Sequence, residues 1–176
     1  CIAEGCKLIF PSTTSVYGDQ KELVDEDCEK SELKPQSPYA ETKLKSEEFI
    51  SRMASKGMIE ASIIRLGTIF GTSKGMRFHT AINKFCWQAV LGQPLTIWRT
   101  ALDQKRPYLG LNDAVNCIDF FLNKELFDGG IYNVVTSNYT VKQVIDFIKY
   151  FINDLQIELV DNKIMNQLSY EVSTDK

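Results

Sequence analysis

Short apolar runs alternate with helix-length segments along this chain, and that rhythm admits few folds. Lys7-Leu-Ile-Phe10 reads as a buried strand that Pro11 ends, because proline brings no amide donor to a ladder. Ser37-Pro38 places a proline at the mouth of a helix spanning Tyr39 to Lys56, rich in good helix formers, with Gly57 at the stop position. Ala61-Ser-Ile-Ile-Arg-Leu66 is the next buried strand and continues into Gly67-Thr-Ile-Phe-Gly71. Phe78 to Leu91 repeats apolar residues at helical spacing, ends at Gly92-Gln-Pro94, and gives way to strand-like Leu95-Thr-Ile-Trp98. Arg106-Pro-Tyr-Leu109 is extended, Asn112 or Asp113 can cap a helix running to Lys124, and Gly129-Gly130 turns the chain into the strand Ile131-Tyr-Asn-Val-Val135. Thr140 caps a last helix, Val141 to Asp154. Strands and helices alternating at these lengths predict an α/β fold with a mostly parallel sheet.

With 176 residues and 44% hydrophobic content, the chain can bury a sizeable core. Its net charge of -3, with basic residues scattered rather than clustered, argues against a nucleic-acid surface. The apolar stretches fall short of the ~18 residues of a membrane span, so no membrane is expected. Five cysteines with no C-x-x-C pair fit a reducing cytoplasm. Cys1-Ile-Ala-Glu-Gly-Cys-Lys7 reads as a last helical turn with its Gly stop, which predicts that the chain starts inside a larger protein. His79 is the only histidine and is expected at a helix start; that count excludes a His-based triad or a multi-histidine metal site within the chain. Asp25, Glu26, Asp27, Glu29 and Glu32 lack ligand periodicity and read as a solvated acidic loop, so no metal is expected. Trp87 and Trp98 are expected in the core or in a pocket wall.

Two stretches carry chemistry. Ser12-Thr13-Thr14-Ser15-Val16-Tyr17-Gly18 ends the first apolar run, and Tyr39-Ala-Glu-Thr-Lys43 opens the first helix. Residues four apart share a helix face, so an ammonium can sit beside a phenol. Tyr17-Gly-Asp-Gln-Lys21 has the same spacing, but Gly18 and Asp19 are poor helix residues and fix nothing on one face. A hydroxyl cluster at a strand end together with a tyrosine-lysine helix suggests proton transfer coupled to hydride transfer on a sugar or alcohol carbon, with a nicotinamide cofactor as acceptor. None of the 10 glycines forms a G-x-x-G-x-x-G turn able to take a pyrophosphate.

Phe10-Pro-Ser-Thr-Thr-Ser-Val-Tyr-Gly18, Ser37-Pro-Tyr-Ala-Glu-Thr-Lys43, Ile64-Arg-Leu-Gly-Thr-Ile-Phe-Gly71 and Gln104-Lys-Arg-Pro-Tyr-Leu-Gly-Leu-Asn-Asp-Ala114 occur in the order found in extended short-chain dehydrogenases. In these motifs the chain resembles the NAD-dependent epimerase/dehydratase family over nearly its whole length. The resemblance implies a Rossmann-like parallel sheet that is incomplete, lacking its amino-terminal cofactor half, with part of a smaller substrate-binding lobe. Residues 1–72 would be the second half of the Rossmann-like domain, and 73–176 the lobe interleaved with returning Rossmann elements.

The resemblance also implies roles. Tyr39 would be the acid/base, Lys43 would favour its phenolate and bind the nicotinamide ribose, and Thr13 would share the proton path. Ser12, Gly67 and Thr68 would lie at the NAD (or NADP) site with Tyr39 and Lys43, and Thr14, Tyr17 and Arg106 at a nucleotide-sugar substrate, with Arg106 on its diphosphate. Three departures matter. Thr14 and Ser15 replace the Asp-Glu pair of the dehydratases, which disfavours elimination; Thr68 replaces a common asparagine, and no asparagine is expected at the start of the Phe78 helix, where some epimerases touch the nucleotide. Relatives commonly dimerise, which predicts a homodimer through the helix that holds Ala40, Leu44, Phe49, Ile50, Met53 and Ala54. A sugar-nucleotide epimerase or related oxidoreductase is the first expectation. The alternative is a non-catalytic binding or scaffold protein, or a fragment of the enzyme that is inactive by itself.

Overall fold

The computed structural model describes residues 1–161 and 169–176. In chain order the elements are β1 (Leu8–Thr13), β2 (Leu23–Val24), α1 (Pro38–Ser55), β3 (Ala61–Leu66), β4 (Thr68–Phe70), α2 (Ala81–Val90), β5 (Leu95–Trp98) and β6 (Lys105–Gly110). They continue as α3 (Leu111–Asn123), β7 (Asp128–Val134), β8 (Ser137–Thr140), α4 (Val141–Phe151), β9 (Ile157–Val160) and β10 (Glu171–Val172). The expected α/β architecture is present. A parallel sheet runs β1-β3-β7, and a second runs β4-β6-β8, parallel and then antiparallel. Two parallel pairs, β2 with β10 and β5 with β9, complete the pairing.

The strand β3 is central, and Ala61, Ser62, Ile63, Ile64 and Arg65 are all buried, as a strand covered on both faces requires. Pro11 does not end β1. It pairs in register with Ile64, and among the described residues β1 has a ladder neighbour on one side only, so the missing amide falls where none is needed. Gly129-Gly130 lies inside β7 rather than in a turn; Gly129 adopts φ +80° and closes to 3.2 Å between its would-be Cβ and Ala54 Cβ. The strand expected to run through Gly67 instead changes sheets there. A Cβ at Gly67 would sit 3.1 Å from Pro107 O, so a larger residue would push β6 away.

Other boundaries move by a turn. Ser37 caps α1, its Oγ accepting from Ala40 N at 3.2 Å, and Pro38 takes the first position. α2 begins at Ala81, after the turn that holds Phe78 and His79, and this puts Asn83 in its first turn. α3 is capped by Gly110; Asp113 lies inside the first turn, where Thr136 Oγ1 donates to its carboxylate, and Asn112 is not the cap. Thr140 caps α4 through a reciprocal pair with Gln143, but the helix stops at Phe151. β8, β9 and β10 are additions to the expected set, and β2 leads into the acidic loop. Trp87 and Trp98 are 46% and 47% exposed, so neither is a core residue. One apolar cluster joins Phe85, Leu95, Ile97, Tyr108, Val144 and Ile145 between α2, α4 and the second sheet; another, of Val16, Tyr17, Val24, Tyr170 and Val172, lies behind the Ser/Thr segment.

Candidate active site

The end of β1 and the start of α1 meet at a cavity of about 400 Å³ lined by Ser12, Thr13, Tyr39, Gly67, Thr68 and Asn83, among others. Tyr39 stands at its mouth, 57% exposed. Lys43, one turn further along α1, donates to Pro11 O at 2.7 Å and holds its Nζ 5.9 Å from the Tyr39 ring centre and 4.8 Å from that of Phe10. An ammonium has three donors, so two remain after the Pro11 bond. Thr13 closes the strand: its Oγ1 accepts from Ser15 N at 3.2 Å and donates to Ser15 Oγ at 3.0 Å, which caps the following turn. Thr13, Tyr39 and Lys43 are therefore gathered at the carboxyl end of a parallel strand.

The remaining sequence-derived residues distribute unevenly. Ser12 is buried, and its Oγ donates to Glu47. Gly67 and Thr68 line the cavity, with Gly67 N donating to Val134 O at 3.0 Å. Thr14 is buried, 3.1 Å from the Tyr170 hydroxyl, and Tyr17 is fully buried with its hydroxyl 2.9 Å from Asn133 Oδ1 and 3.0 Å from Asp25 O. Neither Thr14 nor Tyr17 lines the Tyr39 cavity. Burial pushes the Tyr17 phenol up to about 12, against the opposing pull of Arg65 and Asn133.

Arg106 is half-buried, its side chain makes no hydrogen bond or ion pair among the described residues, and it too lies off that cavity. Burial lowers its pKa, partly offset by Tyr170, Tyr108 and Asp19.

Sequence reasoning missed four residues here. Glu47 and Arg65, 1% and 2% exposed, form a buried pair, with Arg65 Nη2 2.7 Å from Glu47 Oε2. Burial disfavours the Arg65 charge, yet the hydrogen bonds and charge of Glu47 outweigh it and raise its pKa. Tyr170 arrives from the far end of the chain to meet Thr14. Asn83 lines the cavity, accepting from Gly71 N and donating to Arg77 O, each at 3.1 Å, so the helix start does carry an asparagine. The boundary error at α2 hid it; Glu47 lies four residues after Lys43 on the same stripe, but nothing in the sequence marks it as buried. Among the described residues no cluster of metal-binding side chains occurs, and no helix is long and apolar enough to cross a membrane.

Known proteins share this arrangement of elements. The chain is 32% identical over 128 residues to an uncharacterized UDP-glucose epimerase, YtcB, of Bacillus subtilis (strain 168), covering 72% of this chain and 38% of that protein. The chloroplastic UDP-sulfoquinovose synthase of Spinacia oleracea is 35% identical over 69 residues, 38% of this chain and 14% of that protein. Among solved structures, the NAD complex of dTDP-glucose 4,6-dehydratase from Bacillus anthracis str. Ames superposes with a TM-score of 0.81 at 22% identity, over 96% of this chain and 53% of that one. The NAD complex of UDP-glucose 4-epimerase from Thermus thermophilus gives 0.79 at 22% identity, over 98% and 57%. At those identities the superpositions speak for the fold, and the chain spans about half the length of the solved proteins and less of the sequence relatives. A sequence profile of the NAD dependent epimerase/dehydratase family matches residues 1–134, and with the shared Rossmann architecture this establishes that the chain belongs to that family.

Proposed function

We propose that this chain carries the acid/base and substrate half of an NAD(P)-dependent sugar-nucleotide epimerase or related oxidoreductase. The observation that supports it most is the convergence of Tyr39, Thr13 and Ser12 on one cavity, with the Lys43 ammonium one turn from the phenol. The residues present fit the nicotinamide end of the cofactor: Tyr39 and the two free donors of Lys43 suit its ribose, while none of the 10 glycines supplies a pyrophosphate turn. When bound, the cofactor supplies a reversible hydride acceptor.

Tyr39 takes the proton of a sugar hydroxyl as that carbon is oxidised and returns it on reduction. Lys43 stabilises the negative charge that builds on the phenolic oxygen, and Thr13 orients the hydroxyl. Arg106 holds the diphosphate with its forked donors. No carboxylate follows Thr13, so acid-assisted elimination of water has no group to perform it there. Exposed Phe49, on the outer face of α1, is assigned to self-association.

The test is Tyr39→Phe in the full-length protein supplied with NAD and UDP-sugars. Turnover should fall by a factor of about 10²–10⁴ while cofactor binding is largely kept; a fully active variant rejects the assignment. The second reading, that this chain by itself binds without catalysing, is favoured by the missing pyrophosphate turn. An NAD titration of the isolated chain separates them, since tight binding would remove the second reading's basis.

A further inference from the structure

We propose that Glu47 is a positioning residue for the candidate site: a buried charge clamp that sets how α1 lies on the sheet, and so where Tyr39 and Lys43 stand relative to Thr13. The inference rests on the reading of Tyr39 and Lys43 given above, but its evidence is separate. Ser12 of β1, Arg65 of β3 and Asn133 of β7 are register partners, so one row crosses all three strands of the parallel sheet. Glu47 bridges α1 to that row. Ser12 Oγ donates to its Oε1, Arg65 Nε lies 3.2 Å from both carboxylate oxygens, and Nη2 donates to Oε2 at 2.7 Å. Tyr17 backs the guanidinium with its ring centre 4.8 Å away and is itself tied to Asn133.

Position on the helix makes the clamp matter. Tyr39, Lys43 and Glu47 follow one another at intervals of four, on one slowly rotating stripe. Rolling or sliding α1 would therefore break the bidentate fork first, and a forked ion pair tolerates little displacement. An apolar side chain at 47 could pack over the sheet in several registers; the carboxylate has one, because Ser12 and Arg65 approach it from fixed strands. Buried ion pairs are weak sources of stability compared with apolar packing, and geometric specificity is their better-attested use. Ser12 also precedes Thr13 directly, so the same bonds fix the strand end from which Thr13 projects.

The Lys43 side chain reports this geometry without requiring turnover. Its Nζ lies over the Phe10 ring, 4.8 Å from the ring centre, so the ring current should shift the protons on its terminal methylene upfield. In Glu47→Gln, which keeps the shape and loses the charge, that shift should fall by at least half in a chain that still folds by circular dichroism. Glu48→Gln, which removes only an exposed partner of Lys30, should leave it unchanged. If Glu47→Gln fails to fold, the double variant Glu47→Met with Arg65→Met removes both charges; it should regain the fold and still lack the shift. An undiminished shift in either folded variant overturns the proposal. Failure of the Tyr39 assignment would show instead as full turnover in Tyr39→Phe with the Lys43 shift and its Glu47 dependence intact.

Discussion

Two stretches of α1, an open end at its start and a closed one at its middle, live in opposite environments. Tyr39, at its start, is 57% exposed at a cavity mouth, whereas Glu47, about two turns on, is 1% exposed and locked to two strands. One end is free to meet a substrate, and the other allows the helix a single placement. Chemistry at the open end depends on order imposed at the closed end, because a side chain that reacts must be accessible and still arrive at a fixed point. The price of that arrangement is an ion pair in the interior, where one partner without the other is severely unfavourable.

The sharpest way to break the closed end is Arg65→Ala. It leaves the Glu47 carboxylate buried and uncompensated, and should reduce stability by about 3–5 kcal/mol in denaturant unfolding. The next largest effect appears with alkali. Burial raises the Tyr17 phenol from 10.0 to about 12, so the folded state holds this proton more tightly than the unfolded chain. The corresponding stability is complete below about pH 10 and is lost as pH climbs toward 12, by roughly 3 kcal/mol at most. Tyr17→Phe should flatten that part of the stability-pH curve. Ser12→Ala removes one donor to the carboxylate and should lower stability by about 1.5–3 kcal/mol, with the fold kept. At the open end, Tyr39→Phe should change stability by less than about 0.5 kcal/mol, since its hydroxyl makes no hydrogen bond among the described residues.

The open end was the legible one. A tyrosine and a lysine four apart behind Ser37-Pro38 can be placed on one helix face from local rules alone, and the structure puts them in the first two turns of α1. The apolar run 61–66 likewise reads directly as a central strand, and Thr140 as a cap. The closed end was not legible. Glu47 sits among Lys45, Ser46 and Glu48 in a stretch that looks solvated, and only the register of Ser12 with Arg65 reveals where its charge is neutralised. Long-range pairing hid other parts: β5 joins β9 about 60 residues further on, β2 joins β10 across most of the chain, and Tyr170 reaches Thr14 from 156 residues away. Pro11 misled because the rule that proline ends a strand assumes two ladder neighbours, and β1 has one among the described residues.

The most direct measurement is single-turnover formation of reduced nicotinamide when the full-length protein, loaded with NAD, is mixed with a UDP-sugar. The wild type should reduce the cofactor, and Tyr39→Phe should do so slower by a factor of about 10²–10⁴ with cofactor binding largely kept. Equal rates in the two proteins would contradict the role given to Tyr39.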